Sequence, residues 1–187
     1  MNLQFEAAWR LHELLTARSI PYAIIGGIAV QRWGQPRLTR DVDLTILVQP
    51  GREESVARDL VAAFRPRIAD AVEFAVEHRV LPLDVPGGSE ADVSFGLPGY
   101  EEFVIDRAQP YDLGDGRAVR LCSAEDLIVH KALAGRPQDL MDLEGIVVRQ
   151  RASLDIAYIR RWLEELAGVA EEPEIAARFE RIWAERR

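Results

Sequence analysis

The sequence predicts an α/β fold followed by an all-helical region, and three observations carry that prediction. Short apolar runs at residues 22–25 and 42–48 alternate with segments of helical periodicity as far as Leu121. From Ser123 onward only helical periodicities occur. The 187 residues, 48% of them hydrophobic, suffice for one sizeable core or for a core with a helical appendage.

Taken in order, residues 3–17 place Phe5, Ala8, Trp9, Leu11, Leu14 and Leu15 near helical spacing, so an amphipathic helix opens the chain. Residues 22–25 read as a short buried strand, Gly26-Gly27 as a turn, and residues 28–33 as one or two helical turns ending at Gly34. The β-branched, apolar run 42–48 is a strand. Residues 53–64 and 69–78 read as helices. Residues 80–84 and 91–95 alternate as strands on either side of the turn "PGGSE". A helix over 100–108 and a strand over 118–122 complete this part.

The remaining segments are helical. "SAEDLIVHKAL" opens with a capping signature, Ser123 followed three residues later by Asp126, and ends at Gly135. "RPQDLMDLEGIVVRQ" has Pro137 at a helix start and Leu140, Leu143 and Val147 on one face. "LDIAYIRRWLEEL" and "PEIAARFERIWAERR" read as two further amphipathic helices. The expected division is an α/β core over residues 1–121 and a helical region over 122–187 packed on it. No internal repeat or low-complexity linker interrupts it.

The formal charge of −8 argues against a broad nucleic-acid-coating surface, because phosphate binding is driven by clustered positive charge. A small nucleotide, or an RNA end held by a local patch, is compatible with it. The single cysteine, Cys122, excludes an internal disulfide, no signal-peptide pattern is present, and no apolar run reaches the roughly 20 residues that span a bilayer. A cytoplasmic protein with no membrane partner is therefore expected. Of 23 basic residues only Lys131 is a lysine, which singles it out against a background of arginine.

The stretch "YAIIGGIAVQRWGQPRLTRDVDLTILV" carries the chemistry. In a strand, residues i and i+2 point to one face about 6 to 7 Å apart, so Asp41 and Asp43 project together from the start of the 42–48 strand. Two such charges repel each other, and a divalent cation between them turns the repulsion into a ligand set; Mg²⁺ prefers carboxylate oxygens, phosphates and water. Gly26 and Gly27, lacking Cβ, let backbone N–H groups approach a phosphate at the start of a helix whose dipole favours an anion.

An apolar strand, Gly-Gly, a helix, and Asp-x-Asp leading into a second apolar strand together resemble the nucleotidyltransferase superfamily that shares the DNA polymerase β palm. Ile25-Gly26-Gly27, thirteen residues from Ile28 to Arg40, and Asp41-Val42-Asp43-Leu44 fit the family pattern at its upper spacer limit. Gly27 stands where many members have Ser, so only a backbone contact to phosphate carries over. "DVDLT" also matches the Asp-x-Asp-x-Thr of haloacid-dehalogenase-type phosphohydrolases. There the apolar strand precedes the aspartates, whereas here Arg37, Leu38, Thr39 and Arg40 do.

The resemblance implies a nucleotidyltransferase core with a small mixed sheet flanked by helices, and a third carboxylate from a later strand that is both base and metal ligand. Asp92 in "EADVSFG" is the better placed and Asp84 in "LPLDVPGG" is the other candidate. Asp41, Asp43 and Asp92 would then be the catalytic residues and the ligands of Mg²⁺ or Mn²⁺. "EDLIVHKALAGRPQDLMDLEGIV" resembles the AbiEii-type group of toxin-like and uncharacterised bacterial nucleotidyltransferases. By that likeness Lys131 holds the triphosphate of an NTP, Arg136 assists, and Asp139 or Asp142 orients Lys131 or the substrate. Arg37 and Arg40 either neutralise phosphate or solvate their loop, and His78 and His130 have no partner motif for metal.

The implied reaction is transfer of an NMP group to an acceptor hydroxyl on a tRNA end, a protein or a small molecule. The toxin of a toxin–antitoxin pair, with an antitoxin as partner, is one setting for it. The alternatives are a non-catalytic binding protein of the same fold and an antibiotic-modifying nucleotidyltransferase.

Overall fold

The computed structural model describes residues 3–185. The elements run α1 (Leu3–Ala17), β1 (Tyr22–Ile24), α2 (Gly26–Trp33), β2 (Asp41–Leu47), α3 (Glu53–Val61), β3 (Arg65–Pro66), α4 (Ala71–His78), β4 (Val80–Val85) and β5 (Ser89–Gly96). They continue with α5 (Tyr100–Asp106), β6 (Gln109–Gly114), β7 (Arg117–Leu121), α6 (Ala124–Ala134), α7 (Pro137–Gln150), α8 (Ile156–Ala170) and α9 (Glu174–Glu185). The expected last helix extends to residue 187, and its final two residues lie outside the described ones. Among the described residues no helix is long and apolar enough to cross a membrane.

The described strands form one mixed sheet in the order β3-β4-β5-β2-β1-β7-β6, with β2/β5 and β1/β7 parallel and the other pairs antiparallel. Alternation gives the central strands two unlike faces. Val42, Leu44, Ile46, Leu81, Ala91, Val93 and Phe95 occupy one and are fully or almost fully buried. Helix α1 packs on that side, burying Ala7, Ala8, Leu11 and Leu15 and hydrogen-bonding Tyr22 Oη through His12 Nδ1 at 2.7 Å. Asp41, Asp43, Asp92 and Ser94 alternate onto the other face, where they are half-buried.

Three local features depart from the sequence expectation. Helix α2 starts at Gly26 itself, so the glycine pair is the first turn of the helix, with Gly26 at φ +62°. Strand β6 lies at the sheet edge, half of its residues exposed and none buried, and carries Pro110 and Gly114 with a bulge between Asp112 and Gly114; such a strand has no apolar alternation to read. Strand β3 is two residues long and holds its place through its register with Leu83 and Asp84.

The chain divides into two compact units. The first comprises the stretch up to Ile28 and Leu38–Cys122, and so contains the whole sheet; Cys122 closes it by donating its N–H to Ile24 O at 2.9 Å. The second comprises Ala29–Arg37 and the chain from Ser123 onward. Within it, α6 is buried on nearly every side, is capped by Ser123 Oγ accepting from Asp126 N at 3.1 Å, and ends at Gly135 with φ +61°. Helices α8 and α9 cover it and each other.

Helix α7 of the same unit grips residues 33–37 along one face. Asp142 takes Arg37, the missing side chain of Gly145 admits Gln35, whose N would stand 3.2 Å from a Cβ there, Arg149 donates to Gly34 O at 2.7 Å, and Gln150 donates to Trp33 O at 2.9 Å. The spacing 142, 145, 149 is that of one helical stripe.

Candidate active site

Register builds the site in the first unit. Because β2 and β5 run parallel with Asp43 directly opposite Asp92, and Asp41 lies two residues before Asp43, the three carboxylates share a face. One oxygen from each lies within 4.8 Å of the others. Among the described residues this is the group of acidic, histidine or cysteine side chains able to enclose an ion. Its donors are all carboxylate oxygens on a half-buried face, which suits a hard divalent cation such as Mg²⁺ or Mn²⁺. Asp84 is outside this group: it lies on β4 opposite Glu90 of β5 and 3.9 Å from Arg65 Nε.

Each carboxylate is held by a neighbour. Thr39 Oγ1 donates to Asp41 Oδ1 at 2.7 Å. Asp43 accepts a long bond from Gly27 N at 3.4 Å on Oδ2, and its carbonyl accepts from Ile25 N at 2.9 Å. A Cβ on Gly26 would stand 2.6 Å from Asp43 Cβ, and one on Gly27 2.6 Å from Thr39 Cβ. The glycine pair is thus demanded by the close approach of the α2 start to the carboxylate strand, and its first N–H groups lie beside the site. Arg67 donates to Glu90 Oε2 at 2.7 Å and to Asp92 Oδ1.

The tail residues singled out by the sequence meet within the second unit. Lys131 Nζ is 2.8 Å from Asp139 Oδ1 and 2.9 Å from Asp142 Oδ2, and only 6% of the residue is exposed. Arg37 embraces Asp142 through Nε and Nη2 at 2.8 and 2.9 Å, and Gln138 Nε2 adds a bond of 3.0 Å to Asp142 Oδ1. Arg136 Nε donates to Asp139 Oδ2 at 2.6 Å while three quarters of its side chain stays exposed. The network therefore holds three cations against two buried carboxylates.

Burial alone would raise both acids. For Asp142 the bonds from Arg37 and Lys131 outweigh it and set the carboxyl at about 2, and for Asp139 those from Arg136 and Lys131 hold it below the ordinary range.

Of the other expected residues, Arg40 is exposed, His78 is exposed beside Glu77, and His130 is half-buried. Three contributors lie outside the sequence reading: Thr39 as holder of Asp41, Arg67 as partner of Asp92, and the stripe of α7 that grips residues 33–37. Thr39 carried a weak signal in its spacing from Asp41. Arg67 carried none, since only the pairing of β3, β4 and β5 brings residue 67 to residue 92.

The fold, in which the described strands form a mixed seven-stranded sheet flanked by helices, is shared by solved structures of nucleotidyltransferase-like proteins. The chain is similar to an antigenic nucleotidyltransferase-like protein from Paracoccidioides brasiliensis, at 20% identity and a TM-score of 0.54 over 95% of this chain and 92% of that one. It is similar to the antibiotic-resistance factor ANT(2'')-Ia in solution, at 17% identity and a TM-score of 0.55 over 90% of this chain and 94% of that one. The same factor in complex with adenylyl-2''-tobramycin matches at 18% identity and a TM-score of 0.50, over 96% and 99%. No protein-family model and no curated protein matches the chain.

Proposed function

We propose that this protein is a metal-dependent nucleotidyltransferase that moves an NMP group from an NTP to an acceptor hydroxyl. The observation that carries the reading is the register of β2 on β5, which sets Asp43 opposite Asp92 with Asp41 on the same face. Asp41, Asp43 and Asp92 would hold Mg²⁺ or Mn²⁺, which when bound supplies charge stabilisation for in-line displacement at phosphorus. Asp92 would take the proton of the acceptor hydroxyl as its oxygen bonds to the α-phosphorus, while the α–β phosphoanhydride bond breaks and pyrophosphate leaves.

The N–H groups at the start of α2, at Gly26 and Gly27, are assigned to phosphate, with Arg40 as an exposed cation that neutralises it. Lys131, Arg136 and Asp139 are assigned to the nucleotide as well. Lys131 would have to exchange a carboxylate for a phosphate oxygen to contact it, whereas Arg136 already reaches solvent.

For the acceptor, the similarity to ANT(2'')-Ia, crystallised with adenylyl-2''-tobramycin, supports a small amino-sugar or similar molecule. The net charge of −8 supports the same choice over long RNA. An AbiEii-type toxin acting in the cytoplasm on a tRNA end or a protein, with an antitoxin partner, is the second reading, and the tail motif from Lys131 to Asp142 supports it. Incubation with each α-³²P-labelled NTP and Mg²⁺ or Mn²⁺ tests both, offering an aminoglycoside set, bulk tRNA and lysate protein in turn. Label on a small molecule favours the first, and label on tRNA or protein the second. No label on any acceptor, with no NTP-dependent thermal shift, would leave a binding protein of this fold.

A further inference from the structure

Beside the three aspartates stands a cation of the protein's own. Arg67 follows β3 and reaches across β4 to β5, where one guanidinium nitrogen contacts Glu90 and another contacts Asp92. Glu90 and Asp92 are i and i+2 on β5 and so share a face, and Asp41 and Asp43 are their register partners on β2. Four carboxylates thus line two adjacent strands, with Arg67 spanning the β5 pair.

The fork is also incompletely satisfied. Arg67 Nε is buried and has no hydrogen-bond partner among the described residues, so the guanidinium engages its carboxylates through the other two nitrogens alone. Glu90 is exposed, so only the Asp92 contact takes the guanidinium into the half-buried trio.

We propose that Arg67 is an internal counter-cation of the carboxylate trio, and that a divalent ion gains Asp92 by competing with it. The inference rests on the reading of Asp41, Asp43 and Asp92 as metal ligands. Like charges a few ångströms apart repel even where the effective dielectric is high, so Arg67 lowers the affinity of the empty trio for metal. Occupancy then depends on a nucleotide that brings its own phosphates to the ion. Arg67 is in this sense a positioning residue: it holds Asp92 in place without the metal and relinquishes it, wholly or at one oxygen, when the metal enters.

The test is Mn²⁺ binding without nucleotide, read from the loss of the free-ion electron paramagnetic resonance signal. It is made on wild type, Arg67→Ala, Arg67→Gln, Arg67→Lys and Asp92→Asn, each first shown to melt cooperatively. Arg67→Ala and Arg67→Gln are expected to bind Mn²⁺ about tenfold more tightly than wild type, because a neighbouring positive charge is gone. Arg67→Lys is expected to fall between them and wild type. Two neutral substitutions keep the comparison available if one does not fold.

Wild type that binds Mn²⁺ and loses it in Asp92→Asn, with Arg67→Ala and Arg67→Gln unchanged or weaker, overturns the role of Arg67 and leaves the metal reading standing. Absence of binding in wild type and in every Arg67 variant overturns the metal reading, and the role of Arg67 with it. Binding that emerges only in the neutral variants supports the competition in its strongest form.

Discussion

Asp43 is confined from three directions. Asp92 faces it across the parallel ladder, Gly27 N donates to its Oδ2, and Gly26 leaves no side chain to displace it. Gly26→Ala would place a methyl group on Asp43 at a residue whose φ is +62°. The expected result is a loss of about 1 to 3 kcal/mol in urea unfolding together with weaker Mn²⁺ binding, since Asp43 has to move to make room. Asp41→Asn and Asp43→Asn behave differently. Each keeps the shape of a half-buried side chain and removes a charge, so melting should stay close to wild type. Transfer should slow about a thousandfold, the equivalent of ~4 kcal/mol of lost transition-state stabilisation.

Lys131 and Asp142 answer a second residue-scale question, how much of the tail network is structural. Lys131→Ala leaves Asp139 and Asp142 buried with one of their cations gone, and an expected cost of about 3 kcal/mol follows. If the ammonium also meets phosphate, the folded variant will lose affinity for NTP and keep it for the nucleoside, measured by calorimetry. For Asp142 the sign of the pH dependence follows from its depressed carboxyl. Its ordinary value is 3.8 and its folded value about 2, so its contribution to stability is present above about pH 4 and is lost as pH falls toward 2. The difference in unfolding free energy between wild type and Asp142→Asn should shrink by about 2 kcal/mol across that window. A difference that stays constant from pH 5 to pH 2 would show that Asp142 is not held as the ion.

At the scale of elements, α7 is a bracket for the segment before β2. Its stripe of Asp142, Gly145 and Arg149, with Gln150 beside it, holds residues 33–37 by two side chain-to-carbonyl bonds, one bidentate ion pair and one close backbone approach. Gly145→Leu should push Gln35 off this face, with a cost of about 1 to 3 kcal/mol and faster amide exchange over residues 33–37 than elsewhere in the chain. Uniform exchange in the variant would mean that the bracket does not hold the segment.

The elements also show where the sequence was legible. Strand β2 could be read because its run is β-branched and apolar, and α6 because Ser123, Asp126 and Gly135 mark both of its ends. Edge strand β6 and the two residues of β3 have neither an apolar face nor end signals, and they exist through their pairing. The aspartate pair was visible as a local pattern. Asp92 is the better placed of the two later aspartates in the sequence, but its position opposite Asp43 follows only from the register of β2 on β5, and the arrival of Arg67 only from the pairing of β3, β4 and β5.

At the scale of the whole molecule, a charge of −8 lies on a chain whose fold it shares with an antibiotic-resistance factor. Long RNA would have to approach against that charge, with few condensed counterions to release, so labelling of a small acceptor should exceed labelling of tRNA at every ionic strength. Whatever the acceptor, Asp41, Asp43 and Asp92 are proposed to hold the ion through which an NTP binds. The direct measurement is a calorimetric titration of each NTP with and without Mg²⁺, on wild type and on Asp41→Asn and Asp43→Asn. Wild type is predicted to bind an NTP only when the metal is present, and the two variants to lose that metal-dependent binding while melting as wild type does. Equal NTP binding by all three proteins, with and without metal, would contradict the account.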